Sequence, residues 1–151
     1  MPIAIRYTFD QSFSIPAAKA FQWCTDYGMD DHKIMGEINA KRQVVHLTES
    51  TILLKDTFQF GKTKVEKKKL VELYPQNLFW TSTHLSGPNK HSQFLYQIKP
   101  EDEANSTFTF TGLHLDYDEK ANAKMLAEKL CKEDANAWKL LAKAMEKDLK
   151  T

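Results

Sequence analysis

The stretch Lys120–Lys150, KANAKMLAEKLCKEDANAWKLLAKAMEKDLK, decides the fold. Ala123, Leu126, Ala127, Leu130, Cys131, Trp138, Leu141, Met145 and Leu149 recur at three- and four-residue spacing, which predicts one long amphipathic helix. At about 1.5 Å per residue such a helix would run roughly 45 Å. A single helix of that length needs a broad apolar surface to lie on. Asp118 and Glu119 precede it and suit the positive end of its macrodipole, while Lys143, Lys147 and Lys150 suit the negative end. One residue interrupts the apolar stripe: Asp134, between Leu130 and Leu141 on the same face.

The surface for this helix is supplied upstream. Ile3, Ile5, Tyr7, Phe9 and Phe13 alternate with polar residues and predict a half-buried strand. Ser14-Ile15-Pro16 reads as a helix start, and Ala17, Ala20, Phe21 and Cys24 follow at helical spacing in a short helix ending by Gly28. Asp30 to Met35 predicts a second short helix, closed by Gly36. Strand composition then occupies Gln43–Thr48, Thr51–Phe60, Thr63–Tyr74, Leu78–Leu85, Ser92–Lys99 and Ser106–Tyr117. The breaks are short turns, among them Gly61-Lys62, which fits a two-residue hairpin with glycine first. Strands joined this way form an antiparallel meander. No repeat or linker divides residues 1–151, so one domain is expected.

The order is strand, two short helices, six strands, long helix. An α+β architecture, with a strongly curved antiparallel sheet of about seven strands wrapped around the last helix, covers every apolar face. The opening strand leading into Ser14-Ile15-Pro16-Ala17-Ala18-Lys19-Ala20-Phe21-Gln22-Trp23, together with Val71-Glu72-Leu73-Tyr74-Pro75 followed by Leu78-Phe79-Trp80, resembles the START/Bet v 1-like superfamily, nearest its polyketide cyclase and lipid-transport branch. The resemblance spans almost the whole chain and implies a helix-grip fold. It also implies a cavity between sheet and long helix that holds a hydrophobic small molecule.

Composition removes several function classes. A formal net charge of +1 gives no global field to attract nucleic acid, and no nucleic-acid motif is present. No run approaches the roughly twenty apolar residues of a membrane span. The opening MPIAIRYTFD lacks the apolar core of a signal peptide, so a cytoplasmic chain with reduced Cys24 and Cys131 is expected, both as core thiols. Histidines 32, 46, 84, 91 and 114 show no paired helical spacing, there is no CxxC, and no glycine-rich phosphate loop exists. Neither a metal nor a cofactor is expected. The expected partner is a hydrophobic small molecule, and the expected state is a monomer or homodimer.

Strict alternation proposes which residues face the helix: Tyr7 and Phe9; Ile52, Leu54, Asp56 and Phe58; Trp80, Ser82 and His84; Phe94, Tyr96 and Ile98. A single bulge would invert the phase beyond it. Leu130 and Asp134 would face them from the helix, giving a mostly aromatic lining with a few polar groups, the usual make-up of a small-molecule site. Asp134, Asp56 and His84 are the candidates for acid/base chemistry, should two of them come within hydrogen-bond reach. Asp134 reads also, and more simply, as a satisfied polar residue bound to a strand amide, a tyrosine or a lysine. His46 and His114 are weaker candidates. Lys62, Lys64, Lys67, Lys68 and Lys69 crowd one hairpin; they read as a solvated tip, or as partners of an anionic head group at the cavity rim. The resemblance leaves three functions open: a carrier or sensor of a lipid, isoprenoid or aromatic metabolite; a cyclase/dehydratase-type enzyme; and a co-chaperone-like interaction module.

Overall fold

The computed structural model describes residues 2–27, 40–118 and 120–150. The short helix expected at Asp30–Met35, its flanking Gly28 and Gly36, and Glu119 lie outside these residues. The elements are β1 (Ile3–Phe13), α1 (Ala17–Thr25), β2 (Ala40–His46), β3 (Thr51–Phe60), β4 (Thr63–Tyr74), β5 (Phe79–His84), β6 (Gln93–Pro100), β7 (Ser106–Asp116) and α2 (Ala123–Leu149). One antiparallel sheet has the order β1-β7-β6-β5-β4-β3-β2. Strands β2 to β7 form the expected meander, and β1 adds to its far edge beside β7.

Every ladder keeps one register from end to end. β1 pairs with β7 from Ile3–Asp116 to Phe13–Ser106, and β3 with β4 from Thr51–Glu72 to Phe60–Thr63. No bulge interrupts these ladders, so the alternation deduced for one end of a strand holds at the other. Gly61, at φ 62°, turns β3 into β4 as the first residue of the two-residue hairpin.

Most element ends differ from the sequence reading by a residue or more, and three of the starts have a clear local reason. β2 starts at Ala40 rather than Gln43, because Ala40, Lys41 and Arg42 pair with Phe58, Thr57 and Asp56 of β3. β5 starts at Phe79 because Leu78 closes a 3-10 turn over Pro75–Asn77, with a left-handed φ of 50° and its N–H donating to the Pro75 carbonyl at 3.3 Å. α2 starts at Ala123 because the Asn122 side chain accepts from the Met125 N–H at 3.1 Å. Asp118 therefore lies outside the first helical turn, where its own carboxylate caps Lys120 N–H at 3.0 Å instead of the helix. With 27 residues, α2 is about 40 Å long.

The concave face of the sheet divides into a packed end and an open end. At the packed end Phe13, Val71, Trp80, Ile98 and Phe108 are almost completely buried, against Ala20 and Phe21 of α1 and Ala142 and Met145 of α2. Trp138 stacks on Phe108 with ring centroids 4.1 Å apart, and Trp80 stacks on Tyr96 at 4.9 Å. Ser106 Oγ donates to the Ile15 carbonyl, and Trp23 Nε1 donates to Asp148, so α1, β7 and the C-terminal end of α2 are tied together. Further along, burial is uneven: Ile5, Tyr7, Leu54, Asp56 and His114 of the same face stay buried, while other positions open. Leu126, Leu130, Asp134 and Trp138 of α2 are only half-buried, as are Phe9, Phe94 and Tyr96 beneath them. The helix is seated at one end and less closely covered by the sheet at the other.

Candidate functional site

The open end gathers most of the polar side chains on the concave face. Opposed residues in an antiparallel ladder share a face, so the pairings Arg42–Asp56, Asp56–Lys67, Leu54–Lys69 and Lys69–His84 place Arg42, Asp56, Lys67, Lys69 and His84 on the wall facing α2. Arg42 grips Asp56 through Nε at 2.7 Å and Nη2 at 3.0 Å, and Lys69 Nζ reaches the same carboxylate at 3.5 Å. Burial works against ionisation of Asp56, but the Arg42 hydrogen bonds and the Lys69 charge outweigh it and hold the carboxyl below its usual range. Burial lowers the Lys69 pKa, helped by Arg42 and Lys67 and opposed by Asp56. His84 is pushed down to about 3 by burial and then by the charges of Lys69 and Lys67, so its imidazole is neutral at physiological pH.

On the opposite wall, Tyr7 of β1 donates its hydroxyl to Asp134 Oδ2 of α2 at 2.5 Å. Burial raises the Asp134 pKa, and the Tyr7 hydrogen bond and Lys69 only partly offset this. Burial and the Asp134 hydrogen bond raise the Tyr7 pKa far above the ordinary phenol range, so Tyr7 stays a hydroxyl donor. This contact depends on Gly112, which lies directly opposite Tyr7 in the ladder. A Cβ at Gly112 would sit 2.6–2.9 Å from Cζ, Cε1 and Oη of the Tyr7 ring. The missing side chain lets the ring lie across β7.

The expected site residues therefore separate. Tyr7 and Asp134 meet, and Phe9, Phe94 and Tyr96 form an aromatic strip, with Phe94 against His84 at 5.0 Å and Phe9 on Phe110 at 5.0 Å. Leu54 and Trp80, at 2% and 1% exposure, are floor beneath that strip rather than accessible lining. Phe58 faces inward near the hairpin tip under Lys67, whose Nζ is 5.3 Å from the ring centroid. Among the described residues, no two of Asp134, Asp56 and His84 are hydrogen-bonded to each other, so the direct acid/base pair anticipated from sequence is not assembled. His46 is exposed, and His114 is buried 3.9 Å from Asp116.

Two participants were missed by sequence reasoning. Arg42 fell outside the strand expected from Gln43. Lys69 was grouped with the hairpin lysines, read as a solvated tip or as partners of an anionic head group, and was not singled out; its side chain is 24% exposed and ion-paired, whereas Lys62 and Lys64 are at the surface. The signal for Lys69 was present: carrying the inward phase of Val71 back by two and four residues reaches Lys69 and Lys67. No disulfide joins Cys24 and Cys131, and Cys131 Sγ lies 3.7 Å from the Thr8 carbonyl. Among the described residues no group of His, Cys, Asp and Glu could hold a metal ion, and no helix is long and apolar enough to cross a membrane.

Neither a protein-family model nor a curated protein matches the sequence. Solved structures do match in three dimensions. The Zhui aromatase/cyclase from Streptomyces sp. R1128 superposes with a TM-score of 0.73 at 9% identity, over 98% of this chain and 94% of that one. The fold is the Bet v 1-like helix-grip fold. Ara h 8.0201 shares it at TM-score 0.70 and 10% identity, over 95% of this chain and 98% of its own. So does norcoclaurine synthase from Thalictrum flavum, solved with dopamine and hydroxybenzaldehyde, at 0.71 and 13%, over 98% and 87%. In helix-grip terms, the sheet is the hand and α2 the gripped rod.

Proposed function

We propose that the protein binds a hydrophobic small molecule (a lipid, isoprenoid or aromatic metabolite) between the sheet and the N-terminal half of α2, as a carrier or sensor. The observation that carries this reading is the graded burial of the concave face. Phe9, Phe94 and Tyr96 face the helix, yet each keeps accessible surface, while the same face is sealed at the packed end. Aromatic surface left open between two elements, dotted with a few polar groups, is the composition of a small-molecule pocket. The presence of this fold in an aromatase/cyclase and in a synthase solved with two aromatic compounds agrees with it. Native mass spectrometry tests the reading. A bound apolar mass, or uptake of a neutral naphthylamine fluorophore, is expected; a chain that stays empty across fatty acids, isoprenoids and aromatic compounds would overturn it.

A cyclase- or dehydratase-like enzyme is the second reading, and one observation favours it. Asp134 and Tyr7 share a short hydrogen bond between β1 and α2, and burial raises the carboxyl's pKa above its usual value. Such a pair can pass a proton to a bound substrate. The carrier reading is preferred because the other two candidates lack that capacity at neutral pH. Asp56 is held ionised by Arg42 and Lys69, and His84 is a very weak base.

A further inference from the structure

We infer that the ligand carries an anionic head group, a carboxylate or phosphate monoester, seated between Lys67 and Lys69 with its apolar body along Phe94 and Tyr96. This deepens the reading above and rests on it. The starting point is a charge imbalance among the described residues of the inner wall. Lys67 and Lys69 stand two residues apart on the same face of β4, both turned toward α2. The acceptor near them is Asp56, and Arg42 already takes both of its oxygens, at 2.7 and 3.0 Å. Lys69 is a third party to that pair at 3.5 Å. Lys67 lies over the Phe58 ring and has no carboxylate at ion-pair distance among the described residues. Lysine side chains usually extend their charge into water; Lys69 holds its beside Asp56 at 24% exposure.

Among the described residues Arg42 and Lys69 share the single carboxylate of Asp56 while Lys67 pairs with none, and such a partly buried excess of positive charge attracts an anion. His84, beside Lys69 in the ladder, strengthens the selectivity. Its neutral imidazole can donate one hydrogen bond to an oxyanion, and nearby cations keep it from competing for the charge. Asp134 sits on the facing helix and is engaged by Tyr7, so the anion is directed to the β4 wall and not to the β1 side. The strip of Phe94 and Tyr96 runs from His84 toward the packed end and gives the apolar body its place.

The test is displacement of the neutral fluorophore N-phenyl-1-naphthylamine by three compounds with one chain length: decanoate, decyl phosphate and 1-decanol. At least one anion should compete about tenfold better than the alcohol, the gain expected of a charge-assisted contact, and which one does distinguishes carboxylate from phosphate. Lys67→Met and Lys69→Met should each cut that preference to less than about threefold, leaving 1-decanol and fluorophore binding unchanged. Lys62→Met, at the exposed hairpin tip, should not alter it. Should Lys69→Met lose fluorophore binding altogether through misfolding, Lys67→Met, which breaks no ion pair, decides the matter. Equal competition by alcohol and anions would overturn the inference, as would a preference that survives the Lys67→Met/Lys69→Met double substitution or falls equally in Lys62→Met. Those results leave the hydrophobic-ligand reading standing. Failure of the fluorophore and the alcohol to bind at all would remove both.

Discussion

Replacing Gly112 by alanine should cost far more than one methyl group ordinarily does on a strand. In an unconstrained strand the change favours alanine by about 0.5–1 kcal/mol. Here the new Cβ would lie 2.6 Å from Tyr7 Cζ, 2.8 Å from Cε1 and 2.9 Å from Oη, well inside van der Waals contact. Restoring contact distance requires the rigid ring to move by roughly 1 Å, and Tyr7 is 7% exposed, with Phe110 5.9 Å away. A shift of that size breaks the 2.5 Å bond to Asp134. Overpacking costs about 1–3 kcal/mol and loss of a hydrogen bond to a carboxylate about 1.5–3 kcal/mol. Because one ring movement causes both, they do not add in full. A net loss of about 2–4 kcal/mol follows, which for a chain of this size lowers Tm by about 5–15 °C. Urea unfolding of a four-member cycle isolates the cause. In a Tyr7→Leu background the flexible leucine can yield, and Gly112→Ala should be close to neutral. If alanine is as damaging there as in the native chain, the clash with Tyr7 is not the reason for glycine, and the account of the Tyr7–Asp134 seat fails.

Three further outcomes follow from the polar groups. The Asp134 pKa is raised in the folded state, so the native state binds the proton more tightly and stability falls as pH rises through and above the ordinary aspartate range. Asp134→Asn should remove that fall and be at least as stable as the native chain at pH 7 but not at pH 3, as read from thermal melts. His84 behaves in the opposite sense. With a folded pKa of about 3 against 6.5 unfolded, the native chain loses stability as pH drops below 6.5, and His84→Gln should be spared about 1–2 kcal/mol of that loss by pH 5; parallel denaturant curves at pH 7 and 5 would show it. Asn122→Ala removes the cap from α2 and should cost about 1 kcal/mol, with faster amide exchange confined to the first turn, from Met125 onward.

The strands were legible in the sequence to a degree that the site was not. Ile3–Phe13, Thr51–Phe60 and Thr63–Tyr74 could be bounded from alternation and turn residues alone, because each is long, half-buried and free of bulges. Pairing was the unreadable part. Arg42 belongs to β2 only because Asp56 lies across from it, and composition around Ala40 gives no sign of that partner. Lysines on a hairpin look solvated until the phase of Val71 is followed back along β4. Gly112 sits in a threonine-rich strand with nothing in its neighbours to announce that Tyr7 needs the space. The start of α2 was placed at Lys120, just after the acidic Asp118 and Glu119, whereas Asn122 performs the capping.

The uneven seating of α2 makes the helix a cantilever. Its clamp is the C-terminal third, where Ala142 and Met145 are buried and Ser14 N–H and Trp23 Nε1 bond to Glu146 and Asp148. Beyond the clamp, Trp138 stacks on Phe108, and the N-terminal arm meets β1 through the Cys131 contact with its backbone and the Tyr7–Asp134 bond. An arm hinged on the N-terminal side of Trp138 could rise while Trp138 stays stacked on Phe108, so on the proposed carrier reading loading and release need not pass through global unfolding. On that proposed reading the Tyr7–Asp134 bond would act as a latch between sheet and arm, and a cargo competing for either partner would open the route by which it leaves.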